Sequence, residues 1–179
     1  TVVATHLNHV MRTHASELLG RQETQQLLDH VGRESPKLIE DLVPKLLPLA
    51  TVQKVLQRLL EEGVHIRDMR SIIEVLAEHG AKVSEAGDLT ALVRVALGRA
   101  IVQQLYPGTS ELQVMALEPG LERVLLQAVQ AKTGDAAGIE PGLVDTLLRE
   151  ASAAAQHQER LGLPSVLLVP AELRVLLAR

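Results

Sequence analysis

Any chemistry in this sequence has to begin with its histidines. His6 and His9 stand in the run His-Leu-Asn-His, with His14 close behind. On a helix the i, i+3 spacing puts His6 and His9 on one side, an arrangement from which imidazole metal ligands are built. A zinc site needs three or four protein ligands, and no carboxylate or thiolate accompanies this pair at a defined spacing. The three residues therefore read as polar side chains of an amphipathic helix, and no metal is assigned. A histidine-based, metal-dependent hydrolase stands as the alternative reading.

The other reactive types are dispersed. Glu40-Asp41 and Glu61-Glu62 are sequence neighbours, so on helices their carboxylates diverge by about 100° and cannot face each other across a substrate. The glycines of GTSE and KTGDAAGIEPG lack the following Lys-Ser/Thr of a phosphate-binding loop, and no GxGxxG follows a strand. No serine sits in GxSxG, and Ser35 is better placed as a helix cap. Nothing here implies a cofactor, and the reading is that the chain is not an enzyme.

Composition narrows the choice further. There is no cysteine, so disulfides and thiolate metal sites are excluded. Eighteen basic residues against 22 acidic ones leave a net charge of -4, which provides no field to gather phosphates and argues against nucleic acid as a partner. Tyr106 is the only aromatic residue, which removes base-stacking platforms and leaves the core to Leu, Val, Ile, Ala and Met. No stretch approaches the roughly 20 apolar residues needed to cross a bilayer.

The elements that would carry these residues are mostly helices. Val3, Leu7, Val10 and Met11 share one face of a first helix over Val2 to His14, with His6, His9 and Arg12 beside or opposite them. A second helical region runs from Glu17 to Val31. Ser35 and Pro36 then supply an N-cap and a first-turn proline for a short helix that Pro44 must end. Thr51 caps a helix whose Val52, Val55, Leu56, Leu59 and Leu60 fall on one stripe, stopped by Gly63. Met69, Ile72, Ile73, Leu76 and Ala77 repeat the spacing up to Gly80. Asp88 opens a longer helix with Leu89, Leu92, Val93, Ala96, Leu97, Ala100 and Ile101 inward, ending at Pro107-Gly108.

Past Gly108 the pattern changes. Leu112, Val114 and Ala116 alternate as a strand does, and Pro119-Gly120 starts a helix carrying Leu121, Val124, Leu125 and Ala128. Ala131 to Gly142 reads as a loop, and Pro141 begins an Ala-rich helix that Gly162 and Pro164 end. Val166 to Val169 reads as a buried parallel strand and Ala171 to Ala178 as a last helix. The fold class is mainly α with a small α/β part: an all-helical bundle followed by an incomplete strand-helix-helix-strand-helix subdomain. A sheet with a fully apolar strand should continue past Arg179, and the first helix lacks a capping signal, so both ends are expected to be edges of a fragment.

Long strings of the chain are similar to the FlhA/FHIPEP family of flagellar type III export gates. They are TVVATHLNHV at 1–10, ELLGRQETQQLLDHV at 17–31, PKLIEDLVPKLLPLATVQKVLQRLLEEGV at 36–64, IRDMRSIIEVLAEH at 66–79, ALVRVALGRAIVQQLYPG at 91–108 and PSVLLVPAELRVLLAR at 164–179. The resemblance implies the C-terminal cytoplasmic region of a gate anchored in the bacterial inner membrane by an N-terminal part missing from this sequence. In that frame residues 1–20 end a first subdomain, 21–108 form the all-helical third, and 109–179 belong to a fourth.

The family's cytoplasmic region forms a nonameric ring and receives export chaperones with their cargo, together with the export ATPase complex and other export-apparatus subunits. By motif position Thr5 belongs to the chaperone-docking surface, while Arg67, Asp68 and Arg70 are candidate ring contacts. Two departures stand out: His65 replaces the proline that commonly precedes IRD, and the loop AKTGDAAG is longer than the turn expected there.

Overall fold

The computed structural model describes residues 2–108, 111–130 and 141–178. They are mainly helical, with one small parallel β pair, as expected from the sequence. The chain divides into two compact units, Thr1–Gly108 and Thr109–Arg179. Of the loop expected over 131–142, residues 131–140, with the long AKTGDAAG segment, lie outside the described residues, and Pro141 and Gly142 open a helix.

The first unit runs through α1 (Val2–Thr13), α2 (Ala15–Leu18), α3 (Arg21–Glu34), α4 (Pro36–Glu40), a π-helical turn over Asp41–Leu46, α5 (Leu49–Glu61), α6 (Met69–His79), α7 (Ala86–Ala96) and α8 (Gly98–Leu105). Its core is the set of stripes that the 3.6-residue period marks out: Val52, Val55, Leu56 and Leu59 from α5, Met69, Ile72, Ile73 and Leu76 from α6, Leu89 and Val93 from α7. Helix α5 packs on α7, α2 and α3, and α6 packs on α7. Each such Leu or Ile, taken fully out of water, contributes about 1.5–3 kcal/mol of transfer free energy. Thr24 is buried with them, and its hydroxyl donates to the Gly20 carbonyl at 2.8 Å, so that side chain keeps a hydrogen-bond partner inside the bundle.

Several helix ends differ from expectation. Ser35 does precede α4, but its side chain makes no capping bond; its backbone N–H instead closes α3 on Val31. Helix α5 starts at Leu49 behind Pro48 and α7 at Ala86 behind Glu85, so Thr51 and Asp88 lie inside first turns and do not cap. The proline and the buried Ala86 let each helix begin earlier than its most conspicuous polar residue. The long helix expected after Asp88 breaks at Leu97, whose ψ of 4° turns the chain while its side chain stays in the core. The break gives α8 a direction of its own, with Ala96 and Ala100 exposed and Ile101 half-buried.

The stop at Gly63 is a Schellman motif. Val64 N–H donates to Leu59 O at 2.8 Å and Gly63 N–H to Leu60 O at 2.9 Å, and Gly63 takes the left-handed φ of 69° that glycine accepts without strain. Gly80 serves differently, by close approach: a Cβ there would lie 2.9 Å from Leu47 Cγ.

In the second unit β1 (Met115–Ala116) pairs in parallel with β2 (Leu167–Leu168), with α9 (Pro119–Gln130) and α10 (Pro141–Arg160) between them and α11 (Ala171–Leu177) after the second strand. The strand-helix-helix-strand-helix order holds. Glu118 caps α9 by accepting from Leu121 N–H at 2.9 Å. Helices α9 and α11 pack together, and Leu125 and Leu173 are fully buried. The strand expected to be buried over Val166 to Val169 is short and open to solvent, with Leu167 39% and Leu168 62% exposed. An apolar, β-branched run reports preference for extended backbone; coverage comes from neighbouring layers, and among the described residues no third strand joins this pair.

Candidate docking surface

Helix α1 is the element whose exposure departs most from its sequence pattern. Apolar residues at i, i+4, i+7 and i+8 ordinarily mark a core face. Here Val3 is 78% and Leu7 58% exposed, Val10 and Met11 are exposed as well, and every residue from Val2 to Met11 meets solvent. Thr5 is exposed too, but at 100° per residue it lies about 180° around the helix from the centre of that stripe. Helix α1 thus presents two opposed surfaces, an apolar stripe and a polar side with Thr5, Asn8 and His9.

The histidines do not gather. His6 and His9 are exposed at i, i+3, and His14, at the bend between α1 and α2, has its Nδ1 2.8 Å from Glu17 Oε1. Among the described residues no group of three or more His, Asp or Glu side chains is arranged to hold a metal ion.

The residues around IRDMR occupy the turn from α5 into α6. Arg67 is exposed. The Asp68 carboxylate accepts from Ser71 N–H at 3.1 Å and so caps α6, a role its place in the motif does not reveal. Arg70 Nε donates to Glu74 Oε1 at 2.9 Å along the exposed side of α6, and that hydrogen bond holds the guanidinium above its ordinary pKa. Thr5 belongs to a different surface element from these three. Gln104 of α8 pins the same turn: its Nε2 donates to Gly63 O at 2.6 Å and its Oε1 accepts from His65 N–H at 3.1 Å. His65, unlike a proline, supplies a backbone N–H that this structure uses.

Two features lie outside what the residue patterns point to. One is an open groove of about 400 Å³ between α3 and α4, with Leu28, Ile39 and Val43 along it and Asp29, Arg33 and Glu40 around it. The other is a pair of glutamines on α5 that reach the end of α2. Neither has a local signal, because both depend on which helices become neighbours.

The whole chain, residues 1–179, matches the FHIPEP family. The chain belongs to the FHIPEP family. Flagellar biosynthesis protein FlhA of Yersinia enterocolitica is 59% identical over 179 residues, which is 100% of this FHIPEP chain and 25% of that protein. The chain spans about a quarter of the length of the curated FHIPEP relatives it matches. Among solved structures, Chlamydia pneumoniae CdsV in its complex with CdsO superposes with a TM-score of 0.79 at 27% identity, covering 98% of this chain and 51% of that one. The nonameric EscV cytosolic domain from a type III secretion system superposes with a TM-score of 0.71 at 27% identity, over 98% of this chain and 52% of that one.

Proposed function

We propose that this FHIPEP chain is part of the cytoplasmic docking platform of a flagellar type III export gate. It binds export chaperone–cargo complexes and export-apparatus subunits, the export ATPase complex among them, during flagellum assembly. The platform works by presenting surfaces and performs no bond chemistry. It is carried by a protein anchored in the bacterial inner membrane through segments outside these 179 residues.

The observation that carries the reading is α1, an amphipathic helix open to solvent at every residue from Val2 to Met11. Its polar side offers Thr5, whose hydroxyl and methyl suit a docking contact that must stay shallow. Kinship with flagellar biosynthesis proteins and the likeness to a nonameric secretion-system domain support the platform and its ring. A bulky residue at position 5 would obstruct docking sterically.

The test is capture of flagellar chaperone–cargo complexes by the complete cytoplasmic region with and without Thr5→Met. Capture should fall by about tenfold or more, equivalent to roughly 1.4 kcal/mol. Equal capture by the two proteins would remove Thr5 from the docking surface.

A further inference from the structure

We propose that Gln53 and Gln57 are positioning residues, a two-amide clamp that sets the direction in which α1 leaves the helical bundle. The clamp is a property of the first unit alone; its functional meaning rests on reading α1 as a docking surface.

From Val2 to Met11 nothing in α1 is buried, so that stretch has no core residues of its own to fix its orientation. Its aim is inherited from α2, which packs on α5 and is closed by its C-cap residue Leu19. The Leu19 side chain is buried, while its carbonyl, at the end of a single helical turn, has no later helical N–H to accept from. Two side chains one turn apart on α5 take up that carbonyl from the same side. Gln57 Nε2 donates at 2.9 Å and Gln53 Nε2 at 3.2 Å, and Gln57 Nε2 also stands 3.4 Å from Ser16 O. Both glutamines are half-buried, so these bonds are partly shielded from competing water. Other ties near the bend are local: His14 to Glu17 at 2.8 Å, and Leu18 N–H to His14 O at 3.2 Å. These hold α1 to α2, whereas the side-chain burial of Leu19 and the two amides tie the end of α2 to α5.

Shared use of one acceptor gives the clamp a signature that generic packing lacks. Removing either glutamine leaves Leu19 O with a donor; removing both leaves a part-buried carbonyl unpaired, which costs more than the two single losses together. The chain has no cysteine, so spin labels can be placed uniquely at Asn8→Cys on α1 and Glu78→Cys on α6, both exposed positions of the first unit.

The distance distribution between these labels is measured in the otherwise unchanged chain and in Gln53→Met, Gln57→Met and the double variant. The singles should keep nearly the parent distribution, and the double should widen it by about twofold or more with its core helicity retained. A double variant with the parent's narrow distribution, or single variants whose widening adds up to that of the double, would overturn the clamp. If the double variant fails to fold, the singles decide: either of them widening the distribution as much as a loss of both donors should would refute a shared acceptor. No partner takes part in this measurement, so its outcome is independent of whether Thr5→Met impairs chaperone capture.

Discussion

Glu118 shows how much a single side chain can do that composition hides. Its carboxyl is held below the ordinary value of 4.5 by hydrogen bonds from the backbone N–H groups of Gly120 and Leu121, at the positive end of α9. A carboxylate with a lowered folded-state pKa stabilises the fold fully above its ordinary value, and that contribution is lost as pH falls through the lowered one. Glu118→Ala should therefore lower the thermal midpoint at neutral pH, with the deficit shrinking as pH falls from the ordinary value of 4.5 through the lowered one. Midpoints of the two proteins across a pH series check this, and a deficit independent of pH would rule out the charge as the cause. Asp68 makes the same point in reverse: a residue that suggests a surface contact in the string IRDMR is occupied in starting α6.

At the scale of the element, α5 and α1 carry similar apolar spacing and opposite environments. Leu56 of α5 is fully buried and Leu7 of α1 is 58% exposed. Leu56→Ala should cost about 2–5 kcal/mol by lost transfer and cavity terms. Leu7→Ala should stay within about 0.5 kcal/mol, as surface changes do. Chemical denaturation of both variants measures the contrast; comparable losses would mean that α1 is packed in solution. The same contrast explains the short strand β2, whose residues have strand character without the layers that would bury them.

At the scale of the whole molecule, the proposed ring directs attention to the turn between α5 and α6. Arg67 is the clean probe there, since Asp68 caps a helix and Arg70 is bonded to Glu74. Reversing the charge by Arg67→Glu should weaken self-association of the complete cytoplasmic region by about tenfold at low salt, less as salt screens the contact. Sedimentation at several ionic strengths reads this directly. Unchanged association would move the ring contact away from this turn. The two units also differ in construction: the first gathers stripes from several helices into one core, whereas among the described residues of the second only Leu125 and Leu173 are fully buried hydrophobics.

The sequence by itself determined which segments are helical, which of their faces are apolar, the Gly63 stop and the order of elements after Gly108. Those features depend on residues close along the chain, where the helical period and turn chemistry act directly. Family membership was legible for the same reason, in long ordered strings such as those at 36–64 and 66–79. Tertiary structure alone decided that the stripe of Val3, Leu7, Val10 and Met11 stays uncovered, that the helix through Leu97 bends, and that Gln104 holds the turn at His65. It also decided that Gln53 and Gln57 meet Leu19, across 34 and 38 residues of chain. An amphipathic pattern states that a face is apolar; the cover over that face, and the distant amide that reaches a given carbonyl, are set by the packing of helices far apart in sequence.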